Sequence, residues 1–365
     1  MVDWRDLRRT DRITVEQVSP TDVDAPMGPL EGVDLGSSSL SWGYYADTRT
    51  TGKLRVVGEG WQRGSMLRVV HEVPEWGWRR ELGTYIVTSD SAERQRGAWA
   101  YDLDLQSVLF GLSTDLLVRP WAIASNAMAL TAARQLVEAA GRELVTDGAN
   151  DYRLKGAKVI ETGTSRLSAL FALAEMAGDR LDVDGHGRVT MARYVAPSER
   201  SATLRVDLAD ARGVALDGIQ RSTDWLQMPN VAAVHYTYNA NGKQREINAS
   251  ATVAAGTAHS QPVRGYNVTD LRTLTEMSPA TAQRAQQLAA QYLANDSVEH
   301  VEWELSTTYL PIRAGDVVEL VINDGMADYT GARKCLVKSC ELDLGNMTMQ
   351  LTLKETASGD DSGED

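Results

Sequence analysis

The clearest local signal in this chain is the stretch RLDVDGHGRVTM, residues 180–191. Apolar and polar residues alternate on both sides of Asp184-Gly185, and this arrangement is a strong signal for a β-hairpin. Just before it, apolar residues recur at helical spacing: Leu167, Leu170, Phe171, Ala174 and Ala177. Gly178 can end such a helix. The stretch therefore predicts a helix followed by a hairpin.

A second helix is predicted upstream, after Pro120. Its apolar face is formed by Ala129, Ala133, Leu136, Val137 and Ala140. Gly141 follows directly and can end this helix. Residues 120–200 are therefore predicted to form an α/β insert domain.

Both flanks of this insert have strand patterns. On the N-terminal side, alternation is clearest where Trp99, Tyr101, Leu103 and Leu105 are separated by Ala100, Asp102 and Asp104. Residues 1–119 are predicted to form a first β-barrel domain with an N-terminal arm. Residues 201–356 are predicted to form a second β-barrel domain, with an additional helix near 279–295. The acidic residues 357–365 are predicted to be a disordered tail.

The composition limits the function. The formal net charge is −13, which argues against a broad phosphate-binding surface and predicts no stable nucleic-acid binding. No stretch approaches the ~20 apolar residues of a membrane helix, so no membrane span is expected. The charged start predicts synthesis in a host cytoplasm without a signal peptide.

Motifs for chemistry are scarce. Asp182 to Gly187 resembles the start of a calcium loop, but its flanks are strands and the closing glutamate is missing, so a turn is the expectation. The five histidines form no metalloprotease motif, and there is no nucleophile elbow or phosphate loop. Cys335 and Cys340 are expected to stay reduced, with one of them in the core. We therefore expect no enzyme, no catalytic residue, no metal and no cofactor.

The segment PEWGWRR, residues 74–80, is the most unusual short motif, and its two tryptophans are predicted to lie between strands, at a hairpin tip. Exposed tryptophan and arginine are favoured at protein interfaces, so Trp76, Trp78, Arg79 and Arg80 are candidate partner contacts. One or both rings folding over a barrel end is an equal alternative. A carbohydrate-binding platform is a third.

Four segments resemble the tail hub family of long-tailed phages. They are 82–87 with 99–105, 164–194, 229–234, and 312–318 with 335–344. In order, these segments span about residues 40–355. The resemblance implies an α+β, mainly β fold with two tube-like β-barrels and an inserted α/β region. It further implies a homotrimer whose six barrels form a ring.

The function implied by this resemblance is a structural hub at the tail tip of a virion, which adapts a six-fold tail tube to three-fold tip proteins. The implied partners are a distal tail or tail tube ring, a tape measure protein and downstream fibre or tip proteins. The chain would line or close the DNA channel. Two alternatives stay open: a glycan- or receptor-binding tip protein, and a cell-wall hydrolase with unrecognised carboxylates.

Overall fold

A computed structural model describes residues 4, 9–58, 60–95, 97–154, 157–208, 214–240, 243–257, 260–274, 281–296, 301–323 and 330–356. The chain divides into two compact units. The first unit comprises Met1–Ile219 and Glu304–Leu353, and the second comprises Gln220–Trp303 and Lys354–Asp365.

The chain is mainly β, with five helices among the described residues. The strands are β1 Arg12–Val18, β2 Pro26–Pro29, β3 Val33–Gly43, β4 Thr50–Val57, β5 Met66–Val73, β6 Trp78–Gln95, β7 Ala98–Ser107, β8 Trp121–Ile123, β9 Leu144–Thr146, β10 Lys158–Ile160, β11 Asp179–Val183, β12 Val189–Arg193, β13 Leu204–Asp207, β14 Ala215–Thr223, β15 Val231–Ala240, β16 Lys243–Thr252, β17 Thr269–Leu274, β18 Val301–Thr308, β19 Val317–Ile322, β20 Gly331–Asp343 and β21 Thr348–Glu355. The helices are α1 Val108–Thr114, α2 Ala129–Glu138, α3 Arg166–Ala177, α4 Gln261–Arg264 and α5 Ala282–Asp296.

The largest sheet has 13 strands, in the order β14-β18-β21-β20-β3-β4-β7-β6-β5-β1-β2, with β19 and β13 branching from β20. The branch exists because β20 is long. Its first half pairs with β19, from Gly331 to Leu336, and its second half pairs with β3, from Ser339 to Asp343. The predicted α+β, mainly β class is confirmed. The pairings between described residues follow an open path, so the two closed barrels are not confirmed.

The inserted region contains the predicted helices. The side chain of Ser165 accepts a hydrogen bond from the Ser168 N–H (3.1 Å) and begins α3, and Gly178 ends it with φ of 69°. Leucine and alanine side chains of α2 and α3 share one core with Leu181, Val189 and Met191 of β11 and β12. The helical spacing in the sequence therefore marked the buried faces correctly.

The hairpin predicted at residues 180–191 is confirmed as β11 and β12, which pair from Asp179 to Arg193. The turn is a three-residue loop, and the left-handed position belongs to Gly187, with φ of 84°. Asp184 closes the loop by accepting bonds from the Arg188 N–H (2.8 Å) and from its Nε (2.8 Å). Its carboxylate is therefore turned back onto the hairpin.

This hairpin loop packs closely on β6. A Cβ at Gly185 would lie 2.5 Å from the carbonyl oxygen of Glu81, so only glycine fits there. The buried Thr84 hydroxyl donates to the Gly185 carbonyl (2.9 Å) and accepts from Arg68 Nε (3.1 Å). The bond to Gly185 attaches the inserted region to the large sheet, and the bond from Arg68, a residue of the same sheet, orients the Thr84 hydroxyl.

The second unit contains a separate sheet, in the order β16-β15-β17, in which β15 and β17 run parallel. Helix α5 packs on it, and its Ala285 and Ala289 contact Val234 and Tyr236 of β15. The helix predicted near 279–295 is confirmed as α5, although residues 275–280 lie outside the described part.

Two further expectations can be placed. The predicted disordered tail, residues 357–365, lies outside the described residues. Both cysteines are free and buried, so the expectation that only one lies in the core was wrong. Within the described ranges, no helix is long and apolar enough to cross a membrane.

Candidate functional site

The candidate contact residues lie at the turn between β5 and β6. Strand β5 is buried along nearly its whole length, and Val73 pairs with Trp78 across the turn. Pro74–Trp76 form one turn of 3-10 helix, which Pro74 starts and Gly77 ends with φ of 59°. The turn thus places Trp76 and Trp78 close together, both half-buried.

Trp4 packs edge-on against both rings of the turn. Its ring centroid is 5.3 Å from that of Trp76 and 4.9 Å from that of Trp78. Tyr309 lies 5.7 Å from Trp4, and His71 lies 4.4 Å from Tyr309. Such T-shaped pairs are favoured by the ring quadrupoles. We call Trp4, His71, Trp76, Trp78 and Tyr309 the aromatic cluster.

A series of hydrogen-bonded polar side chains lies along the buried side of this cluster. His71 is fully buried, and its Nε2 lies 2.7 Å from Asp11 Oδ1. Arg9 Nε donates to Asp11 Oδ2 (2.9 Å), and Arg9 Nη2 donates to the Tyr309 carbonyl (3.0 Å). Burial alone would raise the pKa of Asp11, but the hydrogen bonds from His71 and Arg9 outweigh it and lower that pKa.

The two arginines of the turn have different surroundings. Arg79 donates to Glu72 (2.9 Å) and Glu16 (3.0 Å), and these carboxylates, with burial acting in the opposite direction, raise its pKa. Its side chain is 47% exposed, so its charge is paired but accessible. Arg80 instead donates to the Pro311 carbonyl (2.5 Å).

Chemically, this site offers aromatic rings for stacking and the guanidinium of Arg79 for ion pairing. Of the predicted residues, the structure brings Trp76 and Trp78 together through Trp4, and it directs Arg79 to glutamates of β1 and β5. Among the described residues, no group of three His, Cys, Asp or Glu side chains is arranged to hold a metal ion. Burial raises the pKa of Tyr309 to about 12, so this hydroxyl stays protonated.

The sequence reasoning missed Trp4, His71 and Tyr309. His71 could have been noticed, because it interrupts the apolar run of β5 between Val70 and Val73. Trp4 and Tyr309 carry no such signal, since they meet the turn only through long-range packing.

At the level of sequence, no family matches this chain and no curated protein matches it. Solved structures do. The tail protein from Neisseria meningitidis MC58 is similar at a TM-score of 0.64 with 12% identity, covering 94% of this chain and 96% of that chain. The 43 kDa tail protein of prophage MuSo2 from Shewanella oneidensis has a TM-score of 0.64 with 14% identity, covering 94% and 98%. Prophage tail protein gp18 from Listeria monocytogenes EGD-e has a TM-score of 0.55 with 9% identity, covering 95% of both chains.

These similarities concern the fold. They extend over nearly the whole of both chains, so this chain has the fold of these three tail proteins. At the level of fold, the resemblance inferred from the four sequence segments is confirmed.

Proposed function

We propose that this chain is a structural protein of a phage tail, acting as a hub at the tail tip. The observation that carries the proposal is the fold match to three phage tail proteins, which covers at least 94% of this chain and 95% of each of theirs. The chain would be made in the host cytoplasm and assembled into the virion. In this role it is not an enzyme.

The hub would be a homotrimer in which each chain contributes two tube-like barrels, within residues 1–119 and 201–356, separated by the insert at 120–200. The open path of the large sheet is compatible with barrel walls completed between copies. A closed ring would cover strand edges that would otherwise be exposed. Pro26 and Pro29 stand in β2 at one end of this path and blunt that edge, whereas β14 ends the other.

The partners in this proposal are a distal tail or tail tube ring on one side and fibre or tip proteins on the other. A tape measure protein would end at the hub. A trimer with two barrels per chain presents six barrels, so it would match a six-fold tail tube on one side and three-fold tip proteins on the other.

The channel of such a ring would be net negative, because DNA must pass without sticking and the chain has a net charge of −13. Asp102 and Asp104 are exposed on β7, and Glu304 is exposed on β18. Asp102 is paired with Arg55 (2.9 Å), so Asp104 and Glu304 are the better candidates for a wetted wall.

A receptor- or glycan-binding tip protein is the second candidate, with Trp76, Trp78, Arg79 and Arg80 as the partner contact. The accessible guanidinium of Arg79 beside two half-buried tryptophans favours a protein partner. The edge-on packing of Trp4 on both rings disfavours a flat sugar platform.

Light scattering and electron microscopy of the purified chain test the hub. One chain has a mass of 39.9 kDa, so a trimer has three times that mass, about 120 kDa. Ring-shaped particles with three-fold symmetry and no binding to DNA at low salt are expected. A chain that stays monomeric at every concentration and inside assembled virions would refute the proposal. Saccharide-dependent changes in tryptophan fluorescence, or clearing of a cell-wall substrate, would favour the two alternatives.

A further inference from the structure

A cavity of about 330 Å³ lies within the first unit. Segments distant in the sequence line it: the ends of β3 and β4, the β11–β12 hairpin, and the loop at residues 313–316 before β19. Gly43, Gly83 and Gly315 lie in its wall, so backbone atoms border much of the space. The cavity has room for a group of several heavy atoms.

The lining of this cavity is strongly basic. Five arginines contribute to it: Arg49, Arg180, Arg193, Arg200 and Arg313. Three carboxylates oppose them: Asp182, Asp184 and Asp316. Asp184 is already paired with Arg188, which lies outside the lining. In a chain of net charge −13, this local excess of positive charge is unusual.

The carboxylates form few ion pairs with the half-buried arginines. Among the described residues, the ion pairs within the lining comprise only Arg180 with Asp182, at 3.3 Å. Asp316 accepts its bond from the backbone N–H of Arg313 (2.7 Å) and acts on the guanidinium of that residue only through its charge. Arg200 has no carboxylate partner among the described residues.

Arg49 holds the wall of the cavity in place. It has a φ of 61°, a conformation that is rare outside glycine and that persists where the surroundings enforce it. Its guanidinium donates to the backbone carbonyls of Tyr44 (2.5 Å), Ala46 (3.1 Å) and Leu181 (3.1 Å). Arg49 thus links β3 to the inserted hairpin, and its donors are used within the chain.

Arg200 has donors to spare. Its Nη1 donates to the Gly315 carbonyl (2.7 Å), whereas its Nε and Nη2 are buried with no partner among the described residues. A buried charged donor without an acceptor is costly, so these two atoms call for an acceptor that enters from outside. Arg313 shares the lining, and its Nη2 donates to the Glu81 carbonyl (3.2 Å).

The pKa values of two lining arginines are lowered because burial and neighbouring cations outweigh the opposing charges of Asp316 on Arg313 and of Asp182 on Arg49. Burial lowers the pKa of Arg313, and the neighbouring Arg80 lowers it further. Burial likewise lowers the pKa of Arg49, and Arg180 adds to that effect. Each guanidinium would gain from a nearby anion.

We propose that this cavity binds a small oxyanion of the phosphate class, with Arg200 and Arg313 as its main donors and Arg180 beside them. A guanidinium presents its donors in a planar fork that matches the oxygens of phosphate. The bound anion would join the 313–316 loop to the β11–β12 hairpin, because Arg313 and Arg200 anchor to that loop and Arg180 belongs to β11. The limited volume admits a small ion and excludes a nucleic-acid backbone.

Isothermal titration of the full chain with inorganic phosphate tests this proposal, in a buffer whose ionic strength is held constant with sodium chloride. We expect saturable binding of one phosphate per chain, and a melting temperature that rises with phosphate and levels off. Arg200→Gln removes the two free donors and should weaken binding about ten- to a hundredfold. Arg313→Gln should weaken it similarly.

Arg63→Gln is the matched control, because Arg63 is 75% exposed and pairs with Asp90 at the surface (2.9 Å). It should bind phosphate like the unaltered chain. Arg200→Lys keeps the charge but loses the fork, and intermediate binding is expected. The proposal is overturned if the unaltered chain shows no saturable binding or if Arg200→Gln binds equally well. Acetate binding as tightly as phosphate would overturn the assignment to the phosphate class.

Discussion

Thr84→Val should weaken the attachment of the inserted hairpin to the large sheet while keeping the volume of the side chain. Thr84 is 2% exposed, and its hydroxyl both donates to the Gly185 carbonyl and accepts from Arg68 Nε. Valine fills the same volume but leaves a buried carbonyl and a buried charged donor without this partner. Each such group costs about 1–3 kcal/mol. Because Arg68 keeps its bonds to the carbonyls of Val23 and His186, we expect the lower part of the range for two groups, a loss of about 2–4 kcal/mol in the free energy of unfolding.

Urea unfolding followed by tryptophan fluorescence is the appropriate assay, because seven of the nine tryptophans belong to the first unit. With a slope of about 3 kcal/mol per molar urea, the midpoint should fall by about 0.7–1.3 M. Thr88→Val is the matched control on the same strand. Thr88 is exposed and makes only a long bond to the Asp104 carbonyl (3.3 Å), so its loss should stay within about 0.5 kcal/mol. Equal midpoints for the two variants would refute the reasoning.

Three further outcomes follow from the structure. Gly185→Ala should lower the melting temperature by several degrees, since its Cβ would meet the Glu81 carbonyl at 2.5 Å. Gly111→Ala in α1 meets only Ile86 at 3.5 Å and should stabilise the fold by about 0.5–1 kcal/mol. Calorimetry of both variants checks that the melting temperature falls in the first and rises in the second. Burial raises the pKa of Cys340 to about 12, so a thiol reagent at neutral pH should leave it unmodified until urea unfolds the chain, and rapid labelling of the folded protein would contradict this. The pKa of Asp11 is lowered from 3.8, so its ionised form stabilises the fold above pH 3.8, and this contribution is lost as the pH falls through the folded pKa. Asp11→Asn should therefore lower the urea midpoint at neutral pH and have a smaller effect in acid. An effect that does not depend on pH would count against the hydrogen-bonded chain of His71, Asp11 and Arg9.

Local pattern predicted local structure well. The apolar spacing before Gly178 and the alternation around Asp184-Gly185 identified α3 and the β11–β12 hairpin, because side-chain period and chain reversal are encoded within a few residues. The left-handed position is Gly187, and Gly185 is needed for its approach to Glu81 on a strand about a hundred residues away.

Long-range pairing could not be predicted in the same way. Nothing in the sequence of β15 shows that it pairs with β16 and β17 in a sheet of its own. On β7, the expected alternation holds at Leu103 and Leu105 but reverses at its start, where Ala100 is buried and Trp99 is 45% exposed. A twisted strand of this length does not keep one face toward the same core.

The candidate contact residues likewise combine local features that the sequence predicted with long-range contacts that it did not. The sequence indicated that Trp76 and Trp78 lie at a turn between strands, and they do. It did not indicate Trp4, because a ring that packs from a distant part of the chain leaves no periodic trace. The arginine cavity was also missed, since Arg49, Arg200 and Arg313 come from three segments that only the fold brings together.

The pairing of β20 with β3 has a consequence for synthesis on the ribosome. Strand β3 ends at Gly43, and its partner residues on β20 begin at Ser339, nearly three hundred residues later. At about 5–20 residues per second, translation separates the two strands by about 15–60 s. During that interval one edge of β3 has no neighbour and is open to wrong pairing with other nascent chains. The large sheet can therefore be completed only after translation has passed β20, and subunits that could join an assembly arise only then.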